Sequence, residues 1–158
     1  MTAAQRDDEG VRHFVEHLAM SFAEWGFPRM PGRVLATLMA SDDESLTAAE
    51  LAERLQVSPA AISGAVRYLT RIGMLQRQPT AGSRRDRYRL PADPWYESAT
   101  LEGDTFMRTG ARIADEGAKA LGIDTPAGGR VAQMRDFFLF MSREMPSLME
   151  KWRAQRRV

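Results

Sequence analysis

The sequence predicts a mainly α-helical fold with one small β-hairpin. Three observations predict it. Apolar residues recur three and four apart over most of the 158 residues, the period of a helix with one buried face. Cap-and-proline starts stand at Ser58-Pro59, Asp93-Pro94 and Thr125-Pro126; the capping oxygen takes an orphan amide, and proline at the first position wastes no donor. Between Leu75 and Leu90 the helical period stops, and two short strand-like runs flank a turn-rich tip.

A first helix is expected from about Glu9 to Trp25, with Val11, Phe14, Leu18, Phe22 and Trp25 on one stripe and Gly26-Phe27-Pro28 as the stop. A second runs from about Pro31 to Ala40 with Val34, Leu35, Leu38 and Met39 inward, and Asp42-Asp43-Glu44 reads as a loop. Thr47 and Glu50 have the spacing of a capping box, with Leu46 and Leu51 as its hydrophobic staple. A short third helix, about Ala48 to Leu55, follows from that. Gln56-Val57 turns the chain, and Ser58 caps a fourth helix that ends near Gly73. The strands are about Leu75–Gln78 and Arg87–Leu90, with Gly82 suited to the tight turn between them. A long helix is expected from Trp95 to Leu121, closed by Gly122, and a last one from Thr125-Pro126 towards Trp152.

Composition narrows the function. Apolar residues are 44% and charged residues 27% of the chain, the balance of a folded water-soluble domain. No apolar run is long enough for a membrane span. Met1 to Gly10 is polar and acidic, unlike a signal peptide, so a cytoplasmic protein is expected. There is no cysteine, which excludes disulfides, thiol catalysis and Cys-ligated metals. There is no glycine-rich phosphate loop, no nucleophile elbow and no histidine beside paired carboxylates, so an enzyme is not expected. Nor is a cofactor. His13 and His17 stand four apart without further ligand residues, and a solvated pair is the better reading than a metal site.

Charge is unevenly spread. The net charge is +1, but residues 1–46 carry −4, residues 47–90 carry +5 and residues 91–158 carry 0. All eight basic residues of the middle segment are arginine, the side chain that grips phosphate and guanine with a planar fork. On the fourth helix, Ile62, Val66, Leu69 and Ile72 share one side, while Ala60, Ser63, Gly64, Arg67 and Arg71 share the other. The second face is small or basic and holds no acid, as a helix entering the major groove requires. Arg84-Arg85-Asp86-Arg87 puts three guanidinium groups on the hairpin tip, suited to the negative potential of a narrow minor groove. The expected DNA-contacting residues are therefore Ser58, Ala60, Ser63, Gly64, Arg67, Arg71, Arg84, Arg85 and Arg87. The alternative is a winged module that binds protein without DNA, whose outer face would be apolar.

The stretch LTAAELAERLQVSPAAISGAVRYLTRIGMLQRQPTAGSRRDRYRL, Leu46 to Leu90, resembles the winged helix-turn-helix core of MarR-type transcriptional regulators, most closely their GbsR-like branch. The order of the flanking helices fits as well. The resemblance implies cytosolic bacterial or archaeal regulators, homodimeric and usually repressors. In these, each subunit places a recognition helix in the major groove and a wing in the minor groove of a pseudo-palindromic operator. Ser58 to Gly73 matches the recognition helix and Gly82 to Arg87 the wing tip. Many members release DNA when a small aromatic or lipophilic effector binds between the DNA-binding lobe and the dimerisation helices.

Three segments follow from this. Residues 1–27 form an N-terminal helix that is part of a dimerisation module, 28–92 the winged DNA-binding domain, and 93–158 a two-helix dimerisation region. In the last helix Val131, Met134, Phe138, Met141, Met145, Leu148 and Trp152 alternate three and four apart, a seam of period 3.5. Pro146 within it should end or kink the helix near Met145. In the preceding helix Gly110, Ala114, Gly117 and Ala118 are small enough for close helix approach. Trp25, Phe27, Trp95 and Tyr96 flank the DNA-binding core in sequence and are the candidate lining of an effector pocket.

Overall fold

The computed structural model describes residues 6–156; residues 1–5 of the polar N-terminal stretch lie outside it. The chain divides into two compact units, Met1–Pro94 and Trp95–Val158.

The first unit is built on four helices and a small sheet. Asp7 caps α1 (Asp8–Glu24) by accepting the Gly10 amide at 3.0 Å, and Gly26 with φ +86° ends it. The helix buries Val15 and Ala19, flanked by half-buried Val11, Leu18 and Phe22. Phe14 and Trp25, placed inward by the 3–4 pattern, are instead 45% and 81% exposed. The buried face is turned towards Val15 and Ala19, leaving those two on its outer edge. The second helix, α2 (Arg29–Met39), starts two residues earlier than Pro31. Proline is tolerated there because the first-turn amides have no helical acceptor. Val34, Leu35 and Leu38 are buried as expected, but Met39 is exposed.

Strand β1 (Leu46–Thr47) leads directly into α3 (Ala48–Leu55), and α4 (Pro59–Arg71) follows the turn. The capping box is complete: the Glu50 amide donates to Thr47 Oγ1 at 3.2 Å, and the Thr47 amide to Glu50 Oε2 at 2.7 Å. That amide, more than any other neighbour, holds the Glu50 carboxyl below its ordinary value, with Arg87 adding to the effect. The box is therefore fully formed at neutral pH and weakens only as pH falls through the lowered value. Gln56 turns the chain in the left-handed region, φ 52°. Ser58 then caps α4 through the Ala61 amide at 3.3 Å. Leu46, Leu51, Ile62 and Leu69 are the fully buried centre on which α2, α3 and α4 converge.

Strands β2 (Gln76–Gln78) and β3 (Arg87–Arg89) form the hairpin. The sheet is three-stranded and antiparallel in the order β1-β3-β2, with Thr47 opposite Arg87 and Gln78 opposite Arg87 from the other side. The third strand is an addition to the two expected. At the tip, Ser83 donates its amide to the Thr80 carbonyl at 3.1 Å around Gly82, whose φ of +74° suits glycine. Residues 1–27, expected in the dimerisation module, carry α1, which packs on α2 within this first unit.

The second unit is helical. The expected single helix from Trp95 to Leu121 is divided into α5 (Pro94–Ser98), a π-helical turn (Ala99–Gly103) and α6 (Asp104–Leu121). A π turn adds one residue to the helical ladder, and no proline between Trp95 and Leu121 marks the place in the sequence. Thr125 caps α7 (Pro126–Gln155) through the Gly128 amide at 3.0 Å. Pro146 does not end α7, which continues nine residues beyond it to Gln155. The proline is exposed, so it costs the helix one hydrogen bond at a solvent-facing position rather than in a core.

Small residues let α6 and α7 close on each other. The Phe138 ring lies against Gly110, where an added Cβ would stand 2.5 Å from it, and Val131 lies against Gly117. Ala111, Ala114, Ala118 and Ala132 are buried in the same contact. The 3.5-period seam is thereby split. Val131 and Phe138 pack within the chain, while Met134, Leu148 and Trp152 are exposed. A straight α-helix drifts about 20° per heptad against such a seam, which carries Leu148 and Trp152 away from the face of Val131 and Phe138, while Met134 stands on that face's flank. No helix among the described residues is long and apolar enough to cross a membrane.

Candidate nucleic-acid interface

The outer face of α4 is as the sequence predicts. Ser58, Ala60, Ser63, Gly64, Arg67 and Arg71 are all exposed, while Ile62, Ala65, Val66 and Leu69 are buried behind them. A Cβ added at Gly64 would meet nothing within 4 Å, so the fold itself does not require glycine there. Ser58 is engaged as the helix cap. Arg71 lies over the Tyr68 ring, 5.1 Å from its centroid, and Tyr68 meets Phe27 edge-on at 5.5 Å. This stacking draws the Arg71 guanidinium along the helix surface.

Beside Arg71, stacked on Tyr68, the other seven arginines of residues 47–90 fall into two classes. Four are neutralised in place. Arg54 meets Asp43 at 2.5 Å and Ser41 Oγ at 3.0 Å. Arg77 donates to Asp86 at 2.7 Å. Arg87 donates to Ser45 Oγ at 2.8 Å and the Ser45 carbonyl at 2.6 Å, with Glu50 at 3.6 Å. Arg89 donates to Gln76 at 3.0 Å and lies 3.8 Å from Glu44. Arg67, Arg84 and Arg85 are exposed, and among the described residues no carboxylate pairs with them.

Two of the sequence readings change here. Arg87, grouped with the tip arginines, is half-buried and held at the base of the wing by Ser45 and Glu50. Its position opposite Thr47 in the sheet turns it towards the start of α3. Asp86, within the tip cluster in sequence, pairs across the hairpin with Arg77, and its side chain is 24% exposed. The acidic loop also gains a role. Asp42, Asp43 and Glu44 pair with Arg6, Arg54 and Arg89 respectively. The loop's charge is legible in the chain, whereas its partners lie up to 45 residues away.

The four aromatic residues proposed for an effector pocket have different surroundings. Phe27 is half-buried in the core of the first unit, against Phe22 at 5.6 Å and Tyr68. Trp25 is largely exposed beside Phe22. In the second unit Trp95 is exposed, whereas the Tyr96 hydroxyl donates to Glu150 at 3.5 Å and its ring lies 5.5 Å from the Arg153 guanidinium. Phe27 thus packs on the core of the first unit while staying partly open to solvent.

Comparison with known proteins agrees with this architecture. Residues 25–86 match the MarR family model, and residues 93–155 match that of MmpR5-like MarR family transcriptional regulators. The chain is 32% identical over 132 residues to the HTH-type transcriptional regulator MmpR5 of Mycobacterium tuberculosis, covering 83% of this chain and 79% of that protein. A crystal structure of a transcriptional regulator superposes with a TM-score of 0.83 at 29% identity, covering 92% of this chain and 99% of the other. This is a family of regulators and not of enzymes. The chain belongs to the MarR family of transcriptional regulators.

Proposed function

We propose that this protein is a cytoplasmic homodimeric repressor that binds a pseudo-palindromic DNA operator, with α4 in the major groove and the β2–β3 wing in the minor groove. The observation that carries this reading is the sorting of the arginines. Arg67, Arg84 and Arg85 are left exposed and uncompensated, while four neighbours in the same segment are paired with acids or fixed by hydrogen bonds. An arginine surface with only solvent to satisfy gains nothing from excluding carboxylates; a surface that meets phosphate does. The match of residues 93–155 favours the MmpR5-like group over the GbsR-like branch. Release by a small aromatic or lipophilic effector rests on the family resemblance alone.

The apolar outer surface of α6 and α7 supports the dimer. Phe106, Ile113, Phe137, Phe140 and Leu148 are each at least half exposed, and clustered apolar surface left to water marks interaction sites. Two half-sites on one face of the duplex then give a symmetric pair of recognition helices its specificity.

The test is salt-titrated binding to duplex DNA. Affinity should fall steeply with salt as phosphate contacts release counterions. Replacing Arg84 and Arg85 together by alanine should flatten the slope by about two, if each meets one phosphate. A salt-indifferent wild type would favour a wing that binds protein, and an unchanged slope in the variant would remove the tip from the interface. Gly64→Ala gives a separate check. With open space around the new methyl group, it should raise unfolding stability by roughly 1 kcal/mol. A simultaneous loss of DNA affinity is expected where backbone and duplex approach closely; unchanged affinity would remove Gly64 from the contact.

A further inference from the structure

Wing and recognition helix must hold a fixed relation to engage two adjacent grooves at once. The wing hairpin is short, and its tip carries its arginines on a turn. Backbone pairing of β3 with β1 and the packing of Tyr88 and Leu90 against the core hold its base, and one side-chain node adds to them. Arg87, the first residue of β3, places Nε 2.8 Å from Ser45 Oγ and Nη2 2.6 Å from the Ser45 carbonyl. The same guanidinium stands 3.6 Å from Glu50 Oε2, the oxygen that accepts the Thr47 amide. Thr47 in turn lies opposite Arg87 in the sheet. The cap of the first helix of the helix-turn-helix and the returning strand of the wing therefore share one hydrogen-bonded node.

We propose that Ser45 and Glu50 are positioning residues for DNA recognition, acting through Arg87 to lock the wing to the helix-turn-helix. This rests on the DNA-binding reading above. A guanidinium held by hydrogen bonds to a hydroxyl and a carbonyl, with a carboxylate 3.6 Å away, is fixed in direction as well as place. Freed of these partners, the hairpin keeps its pairing with β2 and β1 but loses the side-chain tie nearest its tip. The cost then appears as ordering entropy on binding, since a looser wing must be immobilised by the DNA.

Ser45→Ala is the clean probe, because it removes one hydrogen bond and changes no charge. Operator affinity should fall about fivefold, the size of one hydrogen bond, with the salt slope unchanged because no phosphate contact is lost. Ser45→Thr, which keeps the hydroxyl, should bind as wild type. In the Arg84→Ala/Arg85→Ala background Ser45→Ala should have almost no further effect, whereas in the Arg67→Ala background the two losses should multiply. Thermal unfolding of each variant controls for general damage. Multiplying losses in both backgrounds, or full affinity in Ser45→Ala, would overturn the node's role while leaving DNA binding intact. Absence of salt-dependent DNA binding by the wild type would overturn the parent reading along with it.

Discussion

Replacing Phe140 by aspartate is expected to leave the protein monomeric in sedimentation and to lower operator affinity on the order of a hundredfold, the scale on which a second linked binding site contributes. Phe140 is 50% exposed on α7, so the monomer should tolerate the change and unfold near its usual temperature. In a dimer packed through the outer face of α7 the carboxylate would be buried without a partner, which destabilises an interface strongly. The choice of Phe140 over a seam residue matters. Phe138 already fills the space above Gly110 and touches Phe106 at 5.7 Å, so its loss would damage the unit from within and leave the cause ambiguous. A variant that sediments as a dimer and keeps its affinity would place the subunit contact elsewhere.

The seam also marks how far sequence could be read. Helix starts were legible because they depend on neighbours in the chain: Thr47 with Glu50, Ser58 with Pro59, Thr125 with Pro126. The exposed face of α4 was legible for the same reason, since residues three and four apart must share a side. Strand β1 is not, because two residues carry no alternation, and Leu46-Thr47 equally suits a staple and a cap. The division of the arginines was equally hidden. Arg87 is paired with Ser45 and Arg33 with Glu16 at separations of 42 and 17 residues, and only the folded sheet and helix packing bring such groups together. Charge counting singles out a segment; it cannot say which guanidinium groups the fold keeps for itself.

Arg67 is where that distinction has its largest consequence. It lies in the middle of α4, exposed, one turn beyond the small residues Ser63 and Gly64 that let the helix approach a surface. Arg71 is stacked on Tyr68, and Ser58 is spent on the cap. Arg67 is thus the long cationic side chain on that face free to reach a base edge. Arg67→Ala should cost roughly 1–3 kcal/mol on an operator recovered by selection from random duplexes, as expected for one bidentate guanine contact. The same variant should lose far less on random DNA. Stability should stay near wild type, because an exposed arginine in a helix interior is replaced by the best helix former. Equal losses on both DNAs would assign Arg67 to a phosphate, and the sequence preference would then have to come from the small residues of α4 or from the shape of the groove under the wing.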